Sequence, residues 1–259
     1  MKSKTSLSEF ISNTNHHTPT YEKKLKFIYS QIIQYSKKHD KEIHDLKILE
    51  AGCGDGGISI PLASLGCKVK SFDIDQNYIK HVQNIIKENN ITNLEVTEGN
   101  AYTSNDNQTY DIIILSEVLE HVLEPEKLLA NLIKMTHNTS CLIVTCPNGY
   151  GPWEIKNRLF IYPFVRNNHI RRLMHRPDYV FGAGGDHCQF YKKLDIVDFL
   201  SDDFDLVSFS NSDSIFASLD LIYNQSRILT NFFSKIDSKL ADHVPYWLGS
   251  GWFFCFEKI

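Results

Sequence analysis

The sequence predicts an α/β fold built on a doubly wound, mostly parallel sheet of seven strands. From Lys47 onwards, short apolar runs alternate with stretches of helical periodicity, as in successive β-α-β units. In addition, the first apolar run ends in a glycine-rich turn that leads directly into a helical stretch. The predicted strands are Lys47–Cys53, Lys68–Ile74, Leu94–Gly99, Tyr110–Ser116, Cys141–Cys146, Phe204–Ser210 and Trp252–Glu257.

Helical stretches lie between several of these strands, and one precedes them. Thr20 to Tyr35 repeats apolar side chains at helical spacing, and Thr20 is predicted to cap its start. Gly66, Asp75 and Pro125 are typical of helix ends and first turns, and they indicate three further helices. These helices are predicted over Ile58–Leu65, Asn77–Asn89 and Glu126–Met135.

The chain is long enough to bury one large α/β core, and we predict a single domain over residues 1–259. Residues 1–45 are expected to form an N-terminal helical extension. Residues 147–190 and 211–250 depart from the regular alternation, and we interpret them as insertions on the substrate side. Apolar residues of the second insertion predict a lid helix: Leu219, Leu221, Ile222, Ile228, Leu229, Phe232 and Phe233.

Composition excludes several classes of protein. Hydrophobic residues make up 42% of the chain and charged residues 22%, as in ordinary globular proteins. No apolar run approaches the ~18 residues that a membrane span needs, and the N-terminus lacks a secretory signal, so the predicted location is cytoplasmic. A net charge of −4 argues against nucleic-acid binding by the whole surface. The six cysteines form no C-x-x-C pair and are predicted to be buried, reduced thiols.

The turn after the first strand is the strongest functional signal. It runs from Glu50 through Gly52 and Gly54, and glycines there let a ligand lie against the main chain. Asp73 ends the second strand, where a carboxylate can accept hydrogen bonds from the hydroxyls of a ribose. This pattern predicts a nucleoside-containing cofactor. Because Gly57 completes a G-x-G-x-x-G pattern, a nicotinamide cofactor remains an alternative at this point.

The run from Glu50 resembles the E-x-G-x-G-x-G motif of class I S-adenosylmethionine-dependent methyltransferases, and later motifs follow in the same order from Lys47 to Pro147. That resemblance implies a Rossmann-like sheet with an antiparallel last strand and S-adenosyl-L-methionine as the cofactor. Where the family usually has an Asp at the adenine, this chain has Asn100, whose amide oxygen can still accept a hydrogen bond. The residues implied to bind the cofactor are Glu50, Gly52, Cys53, Gly54, Asp73, Ile74, Asn100, Ala101 and Ser116.

The segment after the fourth strand, S-E-V-L-E-H from Ser116 to His121, is very similar to the ubiquinone-biosynthesis O-methyltransferase group. His121 and, further along the chain, His187 are candidates for the general base that activates a hydroxyl acceptor. The alternative for each histidine is that it caps or fills a turn.

A divalent metal is a second hypothesis for the same segment. If the segment is helical, Glu117, Glu120 and His121 share a face, and His187 could add a fourth ligand for Mg²⁺ or Mn²⁺. This set resembles the E-x-x-E-H…H pattern of small-RNA 2′-O-methyltransferases. The alternative is that these residues only shape the pocket.

The first insertion offers candidate substrate contacts. Tyr150 and Trp153 are placed to stack on a substrate ring, or else they pack under an inserted helix. Residues 155–177 carry six Lys or Arg and no acid, interleaved with aromatic residues. This pattern suits peripheral contact with an anionic membrane or a phosphate-bearing substrate, and the alternative is a solvated helical face.

Together these features predict transfer of a methyl group to a small-molecule acceptor, most plausibly to the oxygen of a phenolic, lipid-like or sugar-like compound. The alternatives are a metal-assisted methyltransferase that acts on RNA or protein, a nicotinamide-dependent oxidoreductase, and a cofactor-binding domain without activity. A nucleic-acid partner is not expected.

Overall fold

The computed structural model of the chain describes residues 7–14, 16, 18–104, 107–174, 187–214 and 227–259. Leu219, Leu221 and Ile222 of the predicted lid helix lie outside these residues. The segment that follows them is helical over Arg227–Leu240.

The seven predicted strands form one sheet in the order β3-β2-β1-β4-β5-β7-β6, which confirms the predicted fold class. Strands β1 to β5 pair in parallel, whereas β7 runs antiparallel to both β5 and β6, so the last strand is the reversed one. The strands are β1 Lys47–Ala51, β2 Lys68–Asp73, β3 Leu94–Glu98, β4 Tyr110–Ser116, β5 Thr136–Pro147, β6 Phe204–Asn211 and β7 Gly251–Lys258.

The helices are α1 Leu7–Ser12, α2 Pro19–Lys38, α3 Ser59–Leu65, α4 Gln76–Glu88, α5 Pro125–Ile133, α6 Pro152–Lys156, α7 Tyr162–Val165, α8 Asn168–Leu173, α9 Lys193–Asp198 and α10 Arg227–Leu240. A π-helical turn, Asn157–Ile161, joins α6 to α7. Short 3₁₀ turns lie at Ile43–Asp45, Leu119–His121, Ala241–His243 and Tyr246–Leu248. Among the described residues, no helix combines the length and the apolarity needed to cross a membrane.

Most boundaries differ from the prediction by one or two residues, and two of the differences have a clear physical cause. The N-cap of α2 is Thr18, whose hydroxyl accepts a hydrogen bond from the Tyr21 N–H, because Pro19 occupies the first helical position. Thr20 therefore lies inside the helix and is free to make a tertiary contact. Strand β5 begins at Thr136 and not at Cys141, since its polar first residues continue the pairing with Tyr110 of β4.

Apolar side chains fill both faces of the sheet. On one face Ile48 and Ile112 pack against α2, α3 and α4, and on the other Leu49 and Ile113 pack against α5 and α9. All seven residues of β4 are buried because the strand lies at the centre of the sheet. The six cysteines are buried and free, as predicted.

Polar contacts fix α2 to both ends of β4. Near its C-terminus, the Tyr35 hydroxyl donates to Asp111 at the start of β4, at 3.1 Å. Near its N-terminus, the Lys24 ammonium donates to the Ser116 hydroxyl at the end of β4, also at 3.1 Å. The N-terminal turn of α2 is thereby held at the carboxyl edge of the sheet.

Asp111 lies at the amino edge of the sheet, where its carboxylate joins α2 and the start of β1 to β4. Its substitution tests how much these contacts stabilise the fold. Burial alone would raise the pKa of Asp111, but the hydrogen bonds from the Lys41 ammonium and the Lys47 N–H hold that pKa below its ordinary value. We expect Asp111→Asn to lower the free energy of unfolding by about 1–3 kcal/mol at neutral pH.

The unfolded chain binds a proton at Asp111 more readily than the folded chain does. The loss of unfolding free energy in the Asp111→Asn variant is therefore complete above about pH 4 and becomes smaller as the pH falls further. Denaturant titrations from pH 3 to pH 7 measure it, with the exposed Asp205→Asn on β6 as the control. Equal stability of wild type and Asp111→Asn at pH 7 would contradict this role.

Candidate active site

The glycine turn leaves open space over its main chain. Gly52 and Gly54 have left-handed backbones, with φ of 77° and 51°. A side chain added at Gly54 would meet no atom within 4 Å. The Gly52 N–H donates to the Phe72 carbonyl at 2.9 Å, which ties the turn to the end of β2. The surface over Gly54 can therefore accept a ligand that lies flat on the backbone.

Asp73 lies directly beside this turn. Its Oδ2 accepts the Gly54 N–H at 2.8 Å and its Oδ1 accepts the Asp75 N–H at 2.9 Å. Each carboxylate oxygen has a second lone pair, so both can still accept hydrogen bonds from a ligand. The backbone contacts fix the orientation of the carboxylate before any ligand arrives.

The remaining predicted cofactor residues fall into a buried and an exposed group. Glu50 is 2% exposed and accepts a hydrogen bond from the Ser59 hydroxyl. Burial raises the pKa of Glu50 to about 8. Ile74 is 70% exposed beside Asp73, whereas the Asn100 side chain accepts the Tyr102 N–H at 2.9 Å within its own loop. An adenine bound as predicted would therefore share the amide oxygen of Asn100 with the Tyr102 N–H.

Lys24 is a site residue that the sequence analysis missed. It is buried, its ammonium lies 4.5 Å from the centre of the Tyr21 ring, and it donates to Ser116. A signal was present, because Lys24 precedes Ile28 and Ile32 by four and eight residues on the apolar face of α2. A lysine on a buried helical face is usually placed there by a partner or a ligand.

The acidic and histidine residues after β4 meet, but not as a helix. Only a 3₁₀ turn forms, at Leu119–His121, and Glu117 has a left-handed backbone with φ of 55°. Its carboxylate accepts the Thr145 hydroxyl at 2.7 Å. Glu117, Glu120 and His121 therefore do not share a helical face, which the predicted four-residue metal site required.

Three of the four predicted ligands nevertheless converge. Glu120, His121 and His187 offer ligand atoms that all lie within 4.8 Å of one another. The rings of the two histidines are 5.2 Å apart, nearly perpendicular. Glu120 and His121 come from the turn after β4, and His187 comes from an extended segment that packs against it.

Glu120 is the most unusual member of this cluster. Its side chain is 1% exposed, neither carboxylate oxygen has a hydrogen-bond partner among the described residues, and Oε1 lies 3.7 Å from Nε2 of His121. Burial, together with the nearby charge of Glu117, raises the pKa of Glu120 well above its ordinary value. A buried carboxylate that accepts no hydrogen bond is costly in free energy, so this position favours a proton or a cation at Glu120.

Glu154 orients His187 and was also missed by the sequence analysis. Its fully buried carboxylate lies 3.0 Å from Nδ1 of His187. A carboxylate on one ring nitrogen fixes the tautomer and directs the other nitrogen, Nε2, away from it. No sequence pattern marks Glu154, because its partner lies 33 residues away.

The segment that carries His187 is fixed by backbone contacts. The N–H groups of Cys188 and Gln189 both donate to the Glu120 carbonyl, at 2.8 and 3.1 Å. Gly149 pairs with Tyr191, and a side chain at Gly149 would lie 2.5 Å from the backbone of Phe190. These contacts hold His187 beside the turn that carries Glu120.

A cavity of about 270 Å³ adjoins this cluster. Its walls come from the start of α2, the residues after β4 and β5, His187, and the facing ends of β6 and β7. Trp153 lines the cavity as predicted for a substrate contact, but Tyr150 is not among its lining residues and is 50% exposed elsewhere. The lining side chains include Thr20, Lys24, Glu117, Trp153, His187 and Asp213.

Comparison with known proteins agrees with this geometry. A family model described as a methyltransferase domain matches residues 20–202. The ubiquinone biosynthesis O-methyltransferase of Rickettsia akari (strain Hartford) is 30% identical over 125 residues, which are 48% of this chain and 48% of that protein. That of Rickettsia conorii is 24% identical over 200 residues, 75% of this chain and 65% of that protein. The chain thus aligns with about half the length of the first of these relatives.

Solved structures share the fold. Magnesium protoporphyrin IX methyltransferase from Synechocystis PCC 6803 with bound SAM gives a TM-score of 0.53 at 14% identity, over 90% of this chain and 79% of that one. A SAM-dependent methyltransferase from Aquifex aeolicus gives 0.54 at 11% identity, over 98% of both chains. The family match decides against the nicotinamide alternative and confirms the resemblance found in the sequence: the chain belongs to the methyltransferase domain family, as a class I S-adenosylmethionine-dependent methyltransferase.

Proposed function

We propose that the protein transfers a methyl group from S-adenosylmethionine to a hydroxyl oxygen of a small-molecule acceptor. One observation carries this proposal: Lys24, which donates to the predicted cofactor residue Ser116, lines the same cavity as Trp153 and His187 from the acceptor side. A cavity of about 270 Å³ suits a small acceptor better than a polymer. The names of the Rickettsia relatives add support for oxygen as the methylated atom.

On the cofactor side, the chain binds and orients. Asp73 is fixed to accept hydrogen bonds from ribose hydroxyls, and the open backbone at Gly54 gives the cofactor a surface to lie on. Lys24 provides the positive charge that a carboxylate on the methionine end requires. The cofactor supplies a sulfonium methyl group, for which the protein mainly contributes position.

We further propose a divalent metal ion held by Glu120, His121 and His187. The fit rests on the two oxygens of Glu120, which accept no hydrogen bond from the described residues, and on Glu154, which contacts Nδ1 of His187 and leaves Nε2 available as a ligand. Such an ion would lower the pKa of a bound acceptor hydroxyl. A histidine that binds the ion cannot also accept a proton, so His121 and His187 would not act as the general base. Glu117, which lines the cavity, would take that role instead.

Substitution of Glu120 tests the metal site. We expect wild type to bind one Mn²⁺ and Glu120→Gln to bind it at least about 10-fold more weakly, because the amide carries no charge. Electron paramagnetic resonance of free Mn²⁺ measures the binding without turnover. Glu124→Gln, an exposed carboxylate four residues along the same loop, is the matched control.

Two results would contradict the metal site: equal Mn²⁺ binding by wild type and Glu120→Gln, or methyl transfer that is unaffected by a chelator. The affinity should also rise with pH, since burial and the charge of Glu117 raise the pKa of Glu120 and a proton competes with the ion.

We also propose peripheral contact with an anionic membrane through the described part of the basic segment, residues 155–174. Leu159, Phe160 and Phe164 are each more than 60% exposed there, and the segment carries Lys and Arg without any acid. Exposed aromatic side chains flanked by basic ones insert at a bilayer interface and are attracted by anionic headgroups. This placement suits an acceptor that dissolves in lipid.

Vesicle sedimentation tests the membrane contact. We expect wild type to sediment with vesicles of phosphatidylcholine and phosphatidylglycerol but not with phosphatidylcholine alone. The Phe160→Ser/Phe164→Ser double variant should lose most of that binding. Phe232→Ser, which removes an equally exposed phenyl ring from α10, is the control. Undiminished sedimentation of the double variant would refute the assignment.

A further inference from the structure

The cavity contains a second carboxylate that comes from the other end of the chain. Asp213 lies two residues beyond β6, where the Ser250 N–H donates to its carbonyl at 3.1 Å. The neighbouring Ser212 N–H donates to the Gly251 carbonyl at 2.9 Å. The backbone around Asp213 is therefore fixed by the pairing of β6 with β7, and its side chain lines the cavity.

Thr20 holds this carboxylate in place. Its hydroxyl donates to Oδ1 of Asp213 at 2.6 Å, across the cavity wall from α2 to the end of β6. A carboxylate has about four lone-pair sites, so the hydrogen bond from Thr20 leaves capacity to accept from a ligand in the cavity. Asp213 is 9% exposed, and that remaining access is toward the cavity it lines.

The charges around Asp213 favour a ligand that donates hydrogen bonds. Burial raises the pKa of Asp213 to about 6, and the charges of Asp237 and Glu117 act in the same direction. The hydrogen bond from Thr20 and the charge of Lys23 oppose this shift only in part, so the group is ionised at neutral pH but incompletely compensated. A carboxylate or phosphate on the ligand would add to this repulsion, whereas a hydroxyl or ammonium group would relieve it.

The size and walls of the cavity limit the rest of the ligand. Trp153, Trp252 and Phe253 contribute apolar and aromatic surface. The cavity has a volume of about 270 Å³ and opens to solvent, so it suits a substituted ring whose remaining parts can extend outward. Aromatic walls with a few fixed acceptors are suited to a flat ring that carries polar substituents.

We propose that Asp213 and Thr20 determine acceptor specificity by binding a hydrogen-bond donor, a hydroxyl or ammonium group, on a single-ring acceptor that bears another hydroxyl as the site of methylation. The inference rests on the proposed function in taking this cavity as the acceptor site. Beyond the proposed function, it names the substituent that the acceptor carries and the two residues, Asp213 and Thr20, that select this substituent.

Four phenols that differ in one ring substituent test the proposal: an ethyl, a hydroxyethyl, an aminoethyl and a carboxymethyl group. Calorimetric titration into protein saturated with S-adenosylhomocysteine and Mn²⁺ measures binding without turnover. We expect the hydroxyethyl and aminoethyl compounds to bind wild type at least about tenfold more tightly than the carboxymethyl compound.

Asp213→Asn is nearly isosteric and its amide oxygen can still accept from Thr20, so the fold should persist. In this variant we expect the preference to fall to about threefold or less, while the affinity for the ethyl compound stays unchanged. Asp205→Asn removes the same charge from an exposed position on β6 outside the cavity and should keep the wild-type order.

The proposal is overturned if Asp213→Asn keeps the full preference, if wild type does not discriminate, or if wild type binds none of the four compounds. Binding of S-adenosylhomocysteine in the same preparation separates these outcomes from failure of the proposed function, which predicts that binding independently of Asp213.

Discussion

The active site depends on the burial of β4 at the centre of the sheet. Every residue of β4 is buried between β1 and β5, so the chain that leaves it must turn at the carboxyl edge. That turn gives Glu117 a left-handed backbone and carries Glu120 to a position with 1% exposure. The Glu120 carbonyl then accepts two N–H groups from the segment that brings His187. The glycine turn, the acidic residues after β4 and the segment that carries His187 thus all lie at the carboxyl ends of the central strands.

Helix α2 completes the candidate site because its side chains bind both ends of β4. Tyr35 and Lys24 connect α2 to the two ends of β4, and this places Thr20 at the cavity opposite Asp213. The cavity therefore combines residues from the beginning, middle and end of the chain. Such an arrangement lets the cofactor half remain common to a family while the acceptor side differs from member to member.

The fold and the cofactor turn could be predicted from the sequence because both are written in local patterns. Alternating apolar runs give the seven strands, and the glycine turn lies directly after the first of them. The residues that were missed, Lys24, Glu154, Thr20 and Asp213, acquire their roles from contacts over distances of 33 to 193 residues. Of the two aromatic residues predicted to stack on a substrate ring, Trp153 lines the cavity and Tyr150 does not, a difference that the sequence of a turn does not reveal. Glu117 was expected to share a helical face with Glu120 and His121, but its own backbone is left-handed and it lies outside the group of converging ligands.

If S-adenosylmethionine binds over the glycine turn with its ribose on Asp73, loss of that carboxylate must weaken cofactor binding. Calorimetric titration of S-adenosylhomocysteine into wild type and Asp73→Ala, with NADH titrated in parallel, measures this loss. We expect micromolar binding by wild type, affinity at least about tenfold lower in Asp73→Ala, and no binding of NADH. Equal affinity of the two proteins for S-adenosylhomocysteine, or binding of NADH in its place, would rule out this cofactor site.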